Sequence, residues 1–472
     1  MGGKFKIIVS DLHLGAGYEA EGNRLDDFGS DQEFADLLDG IAAESDRDGA
    51  EVELIVNGDA FEMLQVPHVD TFDPERAYEP GEYHSSSEND SARKMALIID
   101  GHRLFFAALR RFIQVGSPRR SVTFIKGNHD INLHWDAVQD RIRQAVNARD
   151  ERASLLTFEE RRISREGIYV EHGNQYAEVV DRVDDMEEPH DHDKPGQLAL
   201  PFGSWFVMDI FNEVERDRYW VDGVKPITAL VLYALAYDFS FAARAIATML
   251  RRLPGIIKEG LFEEPGPSES ARRADLLRKL EDPEQVEEMA ASYSTDESFR
   301  TQFNADVVNM LAPPPQLPGA DVHPAALASV PDPVKMAEQI QERVHSSLYE
   351  MAHLRALEEG ASLVSFGHTH EPGGEELPNG ATYVNSGTWT WRGDFTGAGK
   401  ETWKDLFEHP ERFTDDRELH YVRIDYDEDD RPVGRLLTHQ PGETPPPSPV
   451  DEPTLWDRLL GWLRGLWTSI SG

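Results

Sequence analysis

Five short apolar runs, at residues 5–9, 52–56, 122–125, 168–170 and 363–366, each lead into a block of metal-binding side chains. The blocks are Asp11-Leu12-His13, Gly58-Asp59, Gly127-Asn128-His129-Asp130, His172-Gly173 and Gly367-His368-Thr369-His370. Apolar runs of this length predict β-strands, and a strand that ends in a ligand sets that ligand on the rim of its sheet. Rims of one sheet can converge on a single point. Taken singly, an Asp or His at a strand end is ordinarily a turn or cap residue, and Asn128 after Gly127 suits a left-handed turn. Turn chemistry would have to recur at all five blocks to replace a common site.

The residue types suit two metal ions held close together. Divalent ions ~3.5–4 Å apart repel strongly, and a carboxylate shared between them lowers that cost. Asp59, alone after its strand, is the natural bridge. Asp11 and His13 are expected on one side of an extended chain, because side chains two apart in a strand share a face. The same spacing applies to His368 and His370. Neutral imidazoles with few carboxylates leave positive charge on the metals, which lowers the pKa of water and polarises a phosphoryl oxygen. Mixed imidazole, carboxamide and carboxylate donors suit Mn²⁺ first, with Fe²⁺ or Zn²⁺ as alternatives.

In their order, the five blocks resemble the signature of the calcineurin-like metallophosphoesterase superfamily: D-x-H, G-D, G-N-H-[DE], H and G-H-x-H. The resemblance covers roughly the first 178 residues and 333–440. It implies that Asp11, His13 and His370 hold one metal, that Asn128, His172 and His368 hold the other, and that Asp59 bridges. His129 would be catalytic, protonating the leaving oxygen or stabilising the transition state, with Asn128 and His368 lining the phosphoryl site. The implied reaction is hydrolysis of a phosphate ester or pyrophosphate by in-line attack of a metal-bridging hydroxide. Gly58-Asp59-Ala60-Phe61-Glu62 resembles the G-D-x-F-E variant of the UDP-diacylglucosamine pyrophosphatase branch. Glu62 stands where many relatives carry an Asp that orients the catalytic histidine. The chain departs from that branch in reading Asn128-His129 where those lipid pyrophosphatases typically have Asn-Arg, which directs the reading to a more general phosphoesterase. A non-catalytic scaffold on the same fold is the remaining alternative.

The organisation along the chain is α/β (α+β), a two-sheet sandwich flanked by helices with a large helical insertion. Residues 1–178 form the first part of the core, with helices expected at 31–42 and 90–115 and a mobile rim loop at 66–90. Residues 179–332 form the insertion, with helices near 204–219, 226–252, 269–292 and 296–311 and a Pro-rich connector. Residues 333–440 complete the core, starting with a helix whose apolar positions run from Met336 to Leu354 and closing with strands at 382–385, 419–426 and 433–438. Asn385-Ser386-Gly387-Thr388 resembles the superfamily's turn beneath the site. A Pro-rich linker spans 441–454. Residues 455–472 then place Leu455, Trp456, Leu459, Leu460, Leu463, Leu466, Trp467 and Ile470 at helical spacing. Such a face suits either a helix lying in a membrane surface or one folded back onto an apolar groove.

Both ends of the insertion lie next to ligands, so it bears on specificity. Its apolar stretch at 226–250 reads as a buried helix, a groove for a lipid-like substrate, or a dimer contact. Asp238 and Arg244 argue against a membrane span. His190-Asp191-His192-Asp193 reads as a solvated loop tip in preference to a third metal site. His68, His84, His102 and His134 read as surface or structural.

Asp and Glu number 87 against 47 Lys and Arg, a formal net charge of -40. Only 11 of the basic residues are lysine. A surface this acidic and lysine-poor resembles proteins of salt-accumulating organisms, where screening relieves self-repulsion. It opposes unassisted binding to nucleic-acid phosphates, so the expected substrate is a phosphorylated small molecule or lipid. Absence of cysteine and of a basic-then-apolar leader points to the cytoplasm, with membrane association open through 455–472. Salt should therefore help: the urea midpoint of unfolding is expected to rise from dilute buffer to molar KCl, and a fall would contradict the screening argument.

Overall fold

The computed structural model describes residues 3–17, 23, 25–177, 181–225, 227–256, 267–311, 333–395, 397–414 and 417–440. The linker 441–454, the amphipathic segment 455–472 and most of the Pro-rich connector lie outside the described residues.

The chain forms a mixed α/β structure. Thirteen strands are described: β1 Lys4–Val9, β2 Glu51–Asn57, β3 Arg120–Ile125, β4 Leu156–Glu159, β5 Arg162–Arg165, β6 Ile168–Glu171, β7 Val224–Lys225, β8 Leu363–Phe366, β9 Gly373–Glu376, β10 Thr382–Asn385, β11 Gly393–Asp394, β12 His420–Tyr426 and β13 Pro432–Thr438. One sheet has the order β13-β12-β1-β2-β3-β4 and the second β5-β6-β8-β10-β9. β1 to β4 pair in parallel, as do β6, β8 and β10.

Alternation along β1 explains how the layers stack. Ile8 joins Ile55, Ile125, Val170, Leu363 and Val384 in an apolar layer between the two sheets. Ile7 and Val9 face the other way, onto helices α1 Asp31–Asp48, α2 Glu88–Gly101, α3 Arg103–Phe112 and α4 Asp136–Ala145. On the far side of the second sheet, Leu348, Ala352 and Ala356 of the long helix Pro333–Glu359 cover Tyr169, Val364 and Phe366. Strands covered on both faces are largely apolar, and for that reason these strands read as short apolar runs. Parallel pairing brings the C-terminal ends of β1, β2 and β3 to one rim and those of β6 and β8 to another. Asn57 Nδ2 donates to Glu171 O at 3.0 Å, which helps join the rims, while Gly367 N donates to His172 O at 2.7 Å and extends the pairing of β6 with β8.

The segment expected as one helix over 90–115 is broken at His102. The backbone of Gly101 packs on Ala16 and Gly17, where a Cβ would fall 2.4 Å from Ala16 O. The His102 ring is clamped between Asp26 (Nε2–Oδ2, 3.0 Å) and Asp31 (Nδ1–Oδ2, 2.9 Å), and Asp31 Oδ1 also accepts Phe105 N at 3.2 Å at the start of α3. The rim segment 66–90, expected to be loose, is pinned: Tyr78 and Tyr83 are buried against Leu64 and Met208.

The insertion is helical, in shorter pieces than its sequence suggests. It runs through α5 Phe202–Phe206, a π turn Val207–Phe211, α6 Asn212–Asp217, α7 Ile227–Tyr237, α8 Phe239–Ile256, α9 Pro267–Leu280, α10 Pro283–Thr295 and α11 Glu297–Leu311. Aspartates start three of these pieces by accepting first-turn amides: Asp238 from Phe241, Asp282 from Glu284 and Asp296 from Ser298. In α7 the described side chains Leu230, Ala234 and Leu235 are buried, as expected of a core helix. No described helix is long and apolar enough to cross a membrane. The insertion is joined to the later half of the chain: β7 pairs with β11, and Tyr233 stacks on Trp403 at 4.5 Å between centroids. Trp391, Phe395, Trp403 and Leu406, expected in the sandwich, belong to the insertion's core instead.

His102 yields a pH prediction. Burial disfavours its charge, but Asp26 and Asp31 outweigh that and raise it from 6.5 to about 10. A group raised in the folded state stabilises fully below its unfolded pKa and loses that contribution as pH rises through the folded value. Each tenfold gain in proton affinity on folding is worth roughly 1.4 kcal/mol. The wild type should therefore exceed His102→Gln in unfolding free energy by a few kcal/mol below pH ~6.5. That difference should shrink steadily towards pH ~10; a difference independent of pH would contradict the clamp.

Candidate metal centre

The blocks at the ends of β1, β2, β3, β6 and β8 meet in one cup. Among the described residues, nine non-glycine positions have positive φ, and five of them are Asp11, His13, Asp59, His368 and His370. Such conformations cost of order 1–3 kcal/mol each and persist where the surrounding structure imposes them. They correct the expectation of extended chain at Asp11/His13 and His368/His370. Asp11 and His13 meet in one donor group, which His370 joins, while His368 joins Asp59 and His172. Both pairs reach these groups through left-handed turns beyond the strand, since β1 ends at Val9 and β8 at Phe366.

Two glycines of the motifs are explained by close approach. A Cβ on Gly127 would lie 2.0 Å from Asp59 Oδ1, and one on Gly58 would lie 2.3 Å from His172 Nδ1. Asp130, a motif residue to which the sequence attaches no role, fastens the loops: Oδ1 accepts Gly127 N at 2.7 Å and Oδ2 accepts Ala60 N at 2.8 Å. Burial, with Asp59 nearby, pushes its carboxyl up to about 7.

The donor atoms fall into neighbouring groups. Asp11, His13 and His370 form one, and Asp59, His172 and His368 another, with donors in each within 4.8 Å of one another. His13 Nε2 and His370 Nε2 are 3.0 Å apart, and His370 Nε2 is 3.5 Å from Asp11 Oδ1. His172 Nε2 is 3.0 Å from Asp59 Oδ2, while its Nδ1 is held by Asn57 O at 3.0 Å. Asp59 Oδ1 accepts His129 N at 2.8 Å, which sets Asp59 between β2 and β3. Asp11 accepts His368 N at 3.0 Å, tying the two sheets. Glu62 Oε2 receives both His13 Nδ1 and His129 Nδ1 at 2.7 Å.

The residues fit a pair of cations on three counts. Asn128 Oδ1 is buried and has no hydrogen-bond partner. Burial and the adjacent His13 hold His370 well below the usual imidazole value, in the neutral ligating form. Asp59, despite burial, is held well below the usual carboxylate range by His172 and His129. Glu62 is likewise buried yet held at about 2 by His129 and His13.

Several side chains at the mouth carry no local sequence signal. Asp181 Oδ2 reaches within 3.5 Å of His368 Nε2. The insertion adds Glu215 and Asp222 beside Asp27 of the core. Burial raises all three carboxyls, with neighbouring carboxylates adding to the rise at Asp27 and Glu215, and Asp27 and Asp222 hydrogen-bond each other. Gln65 Nε2 donates to Glu215 Oε2. The insertion thus sets two buried carboxyls, favoured in the neutral form, beside Asp27. No protein-family model and no curated protein matches the chain.

Gly127→Ala should weaken Mn²⁺ binding by roughly 10–100-fold, the usual cost of displacing a supporting group. Calorimetric titration checks this, with far-UV circular dichroism expected unchanged; wild-type affinity in the variant would contradict the close approach.

Proposed function

We propose that this protein is a dinuclear metal-dependent phosphoesterase of the calcineurin-like type, built on that superfamily's two-sheet sandwich. The observation that carries the reading is the convergence of four strand ends on two donor groups, with Glu62 joining His13 of one group to His129 at the end of β3. Asp11, His13 and His370 would hold one ion and Asn128, His172 and His368 the other, with Asp59 between them. Two divalent ions held here would lower the pKa of water and polarise a phosphoryl oxygen.

The chain's own groups supply the rest. Glu62 engages Nδ1 of His129 and so fixes the ring, leaving Nε2 as the nitrogen that can donate to a leaving oxygen. Burial opposes the charge of His129, but Glu62 and Asp59 outweigh it and raise the ring to about 10. A proton is thereby present at neutral pH for the departing group. Asn128 and His368 line the place of the phosphoryl oxygens. Burial favours the neutral form of Asp27, Glu215 and Asp222, so the case against nucleic acid rests on the net charge of -40. Manganese is the first choice of metal, and a lipid-linked substrate is the variant reading that residues 455–472 would serve.

Asp59→Asn and His129→Ala should each lower kcat/KM for an activated phosphodiester by roughly 10²–10⁴-fold, measured in Mn²⁺ and molar salt with folding monitored in parallel. Unchanged turnover in both variants sinks the proposal. Glu62→Gln removes the largest influence raising His129, so the alkaline limb of the pH–rate profile should move to lower pH. A limb that stays in place would separate Glu62 from the reaction.

A further inference from the structure

One more cluster of ligating side chains lies outside the cup. His134 ends the short 3-10 turn Ile131–His134, which follows Asn128 and His129 directly. Glu188 and His190 come from the start of the insertion. One donor atom from each lies within 4.8 Å of the other two, the same closeness that relates Asp11, His13 and His370. The rings of His134 and His190 meet edge to face at 4.9 Å, and Trp135 packs 5.6 Å from His190. His134 Nδ1 is shut off from solvent and makes no hydrogen bond, although Glu160 Oε2 stands 3.5 Å away.

The backbone holds this arrangement. His190 forms an antiparallel bridge with Leu198. Leu198 N donates to Ser86 Oγ at 2.9 Å, and Ala199 N donates to Pro189 O at 2.8 Å. Beneath them Ile131, Val183, Met186 and Leu198 are buried together. Within the run His190-Asp191-His192-Asp193, which is exposed at His190, His192 and Asp193, the His190 ring meets that of His134.

We propose that His134, Glu188 and His190 form a separate mononuclear site for a zinc-type divalent ion, completed by water or by Glu160. Two imidazoles and a carboxylate are a zinc donor set, and imidazole selects against magnesium and calcium. Tetrahedral binding needs donor–donor separations of roughly 3.3–3.5 Å. His134 is the fixed member, with its side chain 14% exposed, while His190 and Glu188 at 44% and 74% are free to close onto it. The ion would staple the first loop of the insertion to the segment just behind His129. Its role is to hold the insertion in place, with no part in the reaction.

The test counts bound zinc in the full chain. After equilibrium dialysis against Zn²⁺, the wild type should hold one equivalent more than His190→Ala and one more than Glu188→Gln at limiting zinc. Both variants should keep the wild-type rate on the activated phosphodiester in Mn²⁺. The readout is a difference, so it stands whether or not the cup binds two ions. Because His190 and Glu188 are exposed, neither substitution threatens folding. Equal zinc content in wild type and His190→Ala overturns the proposal. So does a lost equivalent accompanied by lost hydrolysis, which would assign the ion to the cup.

Discussion

Asp11, Asp59, Asn128 and four histidines crowded into one cup bury carboxylates and imidazoles away from water, and the surrounding structure is arranged around that cost. Interactions between charges weaken little where water is excluded, so each pair at ~4 Å is worth several kcal/mol at an effective dielectric of about 20. The protein meets part of the cost with opposite charge, as where His172 stands 3.0 Å from Asp59. It leaves part unmet, since Asn128 Oδ1 has no hydrogen-bond partner. Under the proposed reading two cations would complement that remainder. Left-handed backbone at five of the site residues adds strain that an isolated loop could not sustain. The layer of Ile8, Ile55, Ile125, Val170 and Leu363 between the sheets, with helices on both outer faces, supplies the rigidity that holds it.

The insertion uses different physics. It is anchored by β7 on β11 and by Trp391, Phe395 and Trp403, large apolar side chains drawn from the far end of the chain. Once docked, it sets Glu215 and Asp222 beside Asp27, three buried carboxyls favoured in the neutral form. On the proposed reading a phosphorylated substrate would be attracted by the cup itself, because the net charge of -40 acts against it.

Much of this was legible in the sequence for a simple reason. Strands buried on both faces are largely apolar, and β8 at Leu363–Phe366 and β10 at Thr382–Asn385 coincide with the expected spans. The glycines before the ligands were visible as motif letters, and the approach of Gly127 to Asp59 supplies their reason. What stayed hidden depends on contacts between distant segments. The break at His102 follows from Asp26 and Asp31, more than 70 residues away. Asp27, Asp181, Glu215 and Asp222 look like ordinary acidic residues of an acidic chain until the insertion docks. The turns at Asp11 and His370 were misread as strand because alternation describes which face a residue takes only while the strand lasts.

The most direct test is electron paramagnetic resonance of the full chain loaded with two equivalents of Mn²⁺, at limiting zinc. Two ions sharing Asp59 would be magnetically coupled, so the account predicts a coupled-pair spectrum that disappears in Asp59→Asn. Only the uncoupled spectrum of isolated ions in the wild type, at any loading, would contradict a dinuclear centre at these strand ends.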